Sequence, residues 1–356
     1  MELTFRWYGS KEENIKLSDV KQIPGAKGIV GMIMDIPVGE VWPEDRVKSL
    51  REEIEAAGLS LKVIESVNIH DDIKIGKSTR DAYIENYKTT IRNLANQGVE
   101  VICYNFMPVF DWLKTDLAYE LPDGSNTMAF FKDKILDSPE ELIAAVENSS
   151  GGFSLPGWEP ERLVKVKDLF TEYEGVTEEK LRENFKYFME AIIPTCEEVG
   201  IKMAIHPDDP PFSIFGLPRI VKNAEDLEWI VNSVDSPSNG ITFCTGSIGT
   251  DPKNNIYEMI ADYTKRDRIP FAHIRNIKFL SDVDYYEAAH PSEEGSFDMY
   301  KVMKAFHDNG FTGYARPDHG RMIWGEKGRP GYGLYDRALG IAYLKGLWEA
   351  LEKSEK

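Results

Sequence analysis

The sequence predicts an α/β protein, a (β/α)8 TIM barrel with a long insertion after its fourth strand, and three observations predict it. Eight short apolar or β-branched runs recur along 356 residues. Amphipathic stretches closed by glycine alternate with them, and four of the runs end at metal-capable side chains, His206, Cys244, His273 and Asp318. Strand, helix, glycine, strand is the repeating unit of a parallel barrel, and eight is its strand number.

The strand-like runs are Leu3 to Tyr8, Gly28 to Ile33, Leu61 to Glu65, Val99 to Tyr104, Ile201 to Ile205, Ile241 to Phe243, Ile269 to His273 and Gly313 to Ala315. Short, nearly continuous apolar runs fit strands buried on both faces. Between them, Val47, Leu50, Ile54 and Ala57 form one helical stripe after Pro43 and before Gly58. Ile84, Tyr87, Ile91 and Leu94 repeat it before Gly98, and Leu181, Phe185, Phe188, Ile192, Cys196 and Val199 repeat it before Gly200, with a kink expected at Pro194. We read residues 1–356 as a single barrel domain. Within it, 106–176 is too long for an ordinary connection and must carry structure of its own. A capping box at Ser138-Pro139-Glu140-Glu141 starts at least one helix there, and we expect this insertion to serve as a lid or an oligomer contact.

Composition narrows the partners. Forty-two basic against 60 acidic residues give a net charge of −18, which argues against holding a nucleic-acid backbone. An anionic small molecule must therefore find local cations at its site, which screening beyond about 8 Å allows. No apolar run reaches membrane-spanning length and the N-terminus has no secretory pattern, so we expect a cytoplasmic protein. Cys103, Cys196 and Cys244, odd in number and widely spaced, fit a reducing compartment.

Residues at the carboxyl ends of barrel strands converge on one face, so four distant segments can build one polar centre. His206 opens a loop stiffened by Pro207, Pro210 and Pro211, with Asp208 and Asp209 between; alone it reads first as a core histidine beside solvated aspartates. Cys244 precedes Thr245-Gly246-Ser247, and a free cysteine is ordinarily a small buried hydrophobe, the reading we keep for Cys103 and Cys196. His273 and Arg275 share a strand face, with Asn276 at its edge. Arg316-Pro317-Asp318-His319 packs an anion clamp, a hard ligand and an acid/base group into one strand end, against the alternative of a structural ion pair. Two imidazoles, a thiolate and a carboxylate suit zinc, iron(II), manganese or cobalt. His307 is expected to face solvent, and His70 and His290 to lie in loops without ligand roles. Tyr332 and Tyr335 fall in a glycine-rich segment suited to ordering over a substrate.

Five blocks in order, Phe5-Arg6-Trp7-Tyr8-Gly9, His206-Pro207-Asp208-Asp209-Pro210-Pro211, Cys244-Thr245-Gly246-Ser247, His273-Ile274-Arg275-Asn276 and Arg316-Pro317-Asp318-His319-Gly320, resemble the mannonate dehydratases of the hexuronate pathway over nearly the whole chain. The resemblance implies a xylose-isomerase-like barrel and a hydro-lyase that converts D-mannonate to 2-dehydro-3-deoxy-D-gluconate with Mn2+ or Fe2+. It also implies His206, Cys244, His273 and Asp318 as ligands. His319 and Tyr332, with Asp318 beside them, are carried over as catalytic, Tyr335 being the competing tyrosine. Arg6, Arg275 or Arg316 is expected to clamp the sugar-acid carboxylate, and Asn105 and Asn276 to meet hydroxyls. A homodimer or higher homo-oligomer is expected. The rival readings are a sugar isomerase or epimerase on the same barrel and a metal-stabilised carbohydrate-binding protein without turnover.

Overall fold

A computed structural model describes residues 1–135, 138, 141, 144–145 and 166–354. Eight parallel strands close a barrel in the order β1 (Glu2–Arg6), β12 (Tyr314–Pro317), β9 (Phe271–Ile274), β8 (Asn239–Cys244), β7 (Lys202–Ile205), β4 (Val101–Tyr104), β3 (Ser60–Glu65) and β2 (Gly28–Gly31). All eight predicted runs are barrel strands, with shifted ends. Pro270 explains one shift: it has no N–H to enter the ladder, so β9 begins after it rather than at Ile269, while its carbonyl accepts from Tyr314 N at 3.1 Å.

The barrel interior is plugged by Val30, Val63, Val101, Cys103, Ala204 and Phe271, a core separate from the one beneath the helices. Cys103 is thus a packing residue, its thiol pushed well above the ordinary range by burial and then by Glu65. Cys196 lies on the apolar stripe of the helix Glu178–Val199, where burial and then Glu197 push its thiol up to about 12. That helix runs on through Pro194 to Gly200, whose φ of 76° closes it in the left-handed region glycine tolerates. Its Phe188 meets the rings of Tyr87, Tyr104 and Phe106, tying the helices Arg80–Asn96 and Glu178–Val199 to β4. Each such fully buried ring stabilises the fold by roughly 1.5–3 kcal/mol.

A second sheet, which the sequence did not announce, stands beside the barrel. β5 (Asp116–Glu120) and β6 (Asn126–Phe130) come from the insertion; β10 (Asn276–Phe279) and β11 (Tyr285–Ala288) come from an excursion after β9. They pair antiparallel in the order β10-β11-β6-β5. The described part of the insertion therefore supplies half of a β-wall shared with another loop, together with the helix Val166–Tyr173. Glu141 N donates to Ser138 Oγ at 3.3 Å, as a capping box requires, but the remainder of that predicted helix lies outside the described residues. Among the described residues, no helix is long and apolar enough to cross a membrane.

His307 departs from expectation. Its side chain is 10% exposed and its ring lies 5.1 Å from that of Trp348 on the final helix, so packing covers it. His70 instead caps a short helix by accepting from Asp72 N and stacks on Tyr83, and His290 is buried with Nε2 3.1 Å from Ile274 O.

Candidate active site and metal centre

Strand register does the first part of the assembly. Cys244 pairs with His273 across β8 and β9, and His273 with Arg316 across β9 and β12, so three neighbouring strands present these side chains in one row. His206 follows β7, and Asp318 follows β12. One ligand atom from each of His206, Cys244, His273 and Asp318 lies within 4.8 Å of all the others.

The atoms around this cluster orient it. His206 Nδ1 sits 2.7 Å from Pro207 O, and because a carbonyl only accepts, that nitrogen carries the hydrogen and Nε2 is left bare. His273 Nε2 lies 3.2 Å from both Glu65 Oε2 and Arg316 Nε, while its buried Nδ1, 3.3 Å from Asp318 Oδ1, makes no hydrogen bond among the described residues. A carboxylate on one imidazole nitrogen with the other nitrogen free is how metal-binding histidines are held. Cys244 Sγ stands 3.3 Å from Asp318 Oδ2 and accepts from Ser247 N and Oγ at 3.3 and 3.1 Å. Burial pushes the Asp318 carboxyl up, but His319, His273, Arg316 and Arg275 outweigh it and hold the group well below the usual range, ready as an anionic ligand. The donor set of two nitrogens, one sulfur and one oxygen, with an orphaned imidazole nitrogen aimed among them, fits one divalent ion.

The cavity beside the cluster is lined by His206, His273, Asp318, Arg6, Asn105, Arg316, His319 and Tyr332, with Met32, Met107 and Trp112 among its apolar walls. His319 Nε2 is 3.1 Å from Tyr332 Oη, whereas Tyr335 is exposed at the start of the last helix. Burial, then the neighbouring Tyr8, pushes the Tyr332 phenol well above its ordinary value. The glycine-rich segment is not a bare surface turn, since Arg329 and Tyr332 are both buried in it.

A model of the D-mannonate dehydratase family matches residues 1–356. The chain belongs to the D-mannonate dehydratase family. It is 71% identical over 358 residues to the mannonate dehydratase of Lactococcus lactis subsp. cremoris, each chain being covered completely. The crystal structure of mannonate dehydratase from Streptococcus suis serotype 2 superposes with a TM-score of 0.88 at 46% identity, covering 100% of this chain and 94% of that one. A xylose isomerase domain protein from Planctomyces limnophilus, 12% identical with a TM-score of 0.56 over 99% and 98% of the two chains, shares the barrel alone. The xylose-isomerase-like fold and the hydro-lyase reading are thereby shown, and the isomerase alternative is left with a likeness of fold only.

Within this member of the mannonate dehydratase family, the three arginines separate. Arg275 is removed from the cavity: it is buried in ion pairs with Asp209 at 2.7 Å, Asp318 at 3.0 Å and Glu287, and it is not among the lining residues. Arg316 faces the cavity but is committed to Glu65 at 2.8 Å and Asp318 at 2.9 Å. Arg6 donates to Val30 O at 3.3 Å and Met32 Sδ at 2.8 Å and lies 4.3 Å over the Tyr8 ring, with no ion pair to a carboxylate among the described residues. Asn276 also departs from the expected hydroxyl contact. Its carboxamide accepts from Phe297 N and donates to the carbonyls of Pro291 and Phe297, away from the cavity. Asn105 does line the cavity, its Oδ1 accepting from Met107 N at 3.1 Å. The two aspartates after His206 are buried rather than solvated: Asp208 accepts from the backbone of Ile220 and Val221, and Asp209 meets Lys114 and Arg275.

Four residues that sequence reasoning missed surround the site: Glu65 behind His273, Lys114 just before β5, and Tyr285 and Glu287 on β11 of the side sheet. Glu65 had a usable signal, being a carboxylate at a strand's carboxyl end. Lys114, Tyr285 and Glu287 had none, because nothing in the sequence pairs the two excursions that bring them in.

Proposed function

We propose that His206, Cys244, His273 and Asp318 hold one divalent ion, manganese or iron(II), and that Arg6, His319 and Tyr332 bind and turn over the sugar acid beside it. Bound there, the ion supplies Lewis-acid stabilisation of charge developing on substrate oxygen. Arg6 takes the carboxylate of D-mannonate. It is a buried cation that makes no ion pair among the described residues, a state that a ligand carboxylate improves, and a guanidinium fork matches that group.

His319 Nε2 removes the proton at C2, and Tyr332 delivers its phenolic proton to the hydroxyl leaving C3. The C2–H and C3–O bonds break, the C2=C3 bond forms and water departs; the enol then becomes the 2-keto acid by tautomerisation. The 3.1 Å contact between His319 Nε2 and Tyr332 Oη gives the captured proton a direct route back to the phenolate, so the pair is restored without an outside acid. A phenol held above its ordinary range keeps its proton until the leaving oxygen calls for it. The observation that carries this reading is that one cavity is lined together by ligand candidates, an unmatched arginine and a hydrogen-bonded imidazole and phenol. Three buried cysteines without disulfides support a cytoplasmic setting.

Arg6→Met tests the anchor. With formation of the 2-keto-3-deoxy acid as the assay, KM for D-mannonate is expected to rise about 10- to 100-fold, the loss of a hydrogen bond to charge, with kcat much less affected. An unchanged KM removes Arg6 from the substrate.

A further inference from the structure

The densest buried charge outside the metal cluster lies where the side sheet meets the barrel mouth. Lys114, Asp209, Arg275 and Glu287 are all buried, and they form a chain: Lys114 Nζ to Asp209 Oδ1 at 2.7 Å, Arg275 Nη2 to Asp209 Oδ2 at 2.7 Å, Arg275 Nη1 to Glu287 Oε1, and Lys114 Nζ to Glu287 Oε1 at 3.7 Å. Apolar packing of the same volume holds a fold together at least as well as such a network, so the fold alone does not call for it. One end of the chain touches a reactive group. Glu287 Oε2 and Oε1 lie 2.8 and 2.9 Å from His319 Nδ1, and the opposite nitrogen of that ring faces Tyr332.

We propose that Glu287 is a positioning residue for the dehydration: its carboxylate holds the His319 ring with a hydrogen on Nδ1, so that Nε2 alone exchanges protons with Tyr332 and the substrate. The inference rests on the assignment of His319 and Tyr332 made above. A carboxylate can only accept, and a bare Nδ1 facing both its oxygens would be repelled, so the contact requires Nδ1–H. Arg275 Nη1 also approaches Nδ1, at 3.0 Å, but it is bonded to the same Glu287 oxygen, and both donors converge on that shared acceptor. Whether the ring is neutral or charged, Nδ1 keeps its hydrogen and the proton comes and goes at Nε2. Carboxylate, imidazole and hydroxyl are then arranged as in a hydrolase triad, with a phenol in the third place.

Glu287 has a rigid mount for this task. β11 pairs with β6 at Tyr285 and Phe130, and Thr127 Oγ1 on β6 donates to Glu287 O at 2.7 Å. Lys114 and Arg275 supply the counter-charge that keeps the carboxylate ionised in the interior; burial raises its pKa, and Arg275, then His319, lower it further, to a net value below the ordinary one. The side sheet is thus the element that orients the imidazole.

Two measurements test this. Long-range 1H–15N correlation of the full chain carrying 15N-histidine, with diamagnetic Zn2+ added, reads the ring nitrogens of six histidines. His319 is expected to appear with Nδ1 protonated, and a ring protonated only on Nε2 overturns the proposal. Glu287→Gln is expected to lower kcat about 10²- to 10⁴-fold with KM within about threefold, and to shift the His319 signal away from the Nδ1–H form. Retention of kcat within about threefold overturns it as well. If the variant does not fold, the parent spectrum decides alone. If His319→Asn leaves turnover intact, the proton-transfer assignment itself fails; if His319→Asn abolishes turnover while Glu287→Gln does not, only the role of Glu287 fails.

Discussion

His319→Asn is expected to lower kcat for D-mannonate by about 10²- to 10⁴-fold, the span a positioned acid or base contributes, while metal content stays at the parent level. The substitution keeps a polar side chain in a buried position between Glu287 and Tyr332, and removes the ring whose Nδ1 meets Glu287 and whose Nε2 meets Tyr332. His319 is not among the four clustered ligand atoms, although it adjoins Asp318, so a loss of metal in this variant would point to a structural effect instead. Unimpaired turnover would remove His319 from proton transfer.

Cys244→Ser is expected to weaken metal retention at least about 10- to 100-fold, more than a change behind a ligand typically does, whereas Cys103→Ser and Cys196→Ser leave metal content unchanged. The three thiols differ by position. Cys244 accepts from Ser247 N and Oγ and lies 3.3 Å from Asp318 Oδ2, grouped with the two imidazoles. Cys103 plugs the barrel, and Cys196 lies under a helix. Glu65, Cys103 and His273 also come close enough to share an ion, but Arg316 already neutralises Glu65 and burial holds the Cys103 thiol protonated. Elemental analysis after dialysis separates the variants; equal metal in all three would deny Cys244 its role.

The barrel was legible because its strands are buried on both faces and its helices on one, so both periods are written in hydrophobicity. The gathering of His206, Cys244, His273 and Asp318 was legible for a topological reason, since strand ends of one barrel must meet. Choices between like residues were not. Arg6, Arg275 and Arg316 read alike as cations near strand ends, and only their neighbours distinguish a committed ion pair from an available charge. Tyr332 and Tyr335 stand three apart in a glycine-rich stretch with no regular period, so sequence gives no facing. Glu287 lies in Asp-Tyr-Tyr-Glu, a stretch that reads as an ordinary surface strand. It is buried because β11 pairs with β6, a strand from an insertion more than 100 residues earlier, and long-range pairing leaves no local pattern.

Anomalous diffraction from crystals of the full chain soaked in Mn2+ tests the centre of this reading most directly. The expected result is one strong peak bonded to His206, Cys244, His273 and Asp318, beside Tyr332 and within reach of a sugar acid. A peak held by other residues, or none at a concentration that supports turnover, would contradict it.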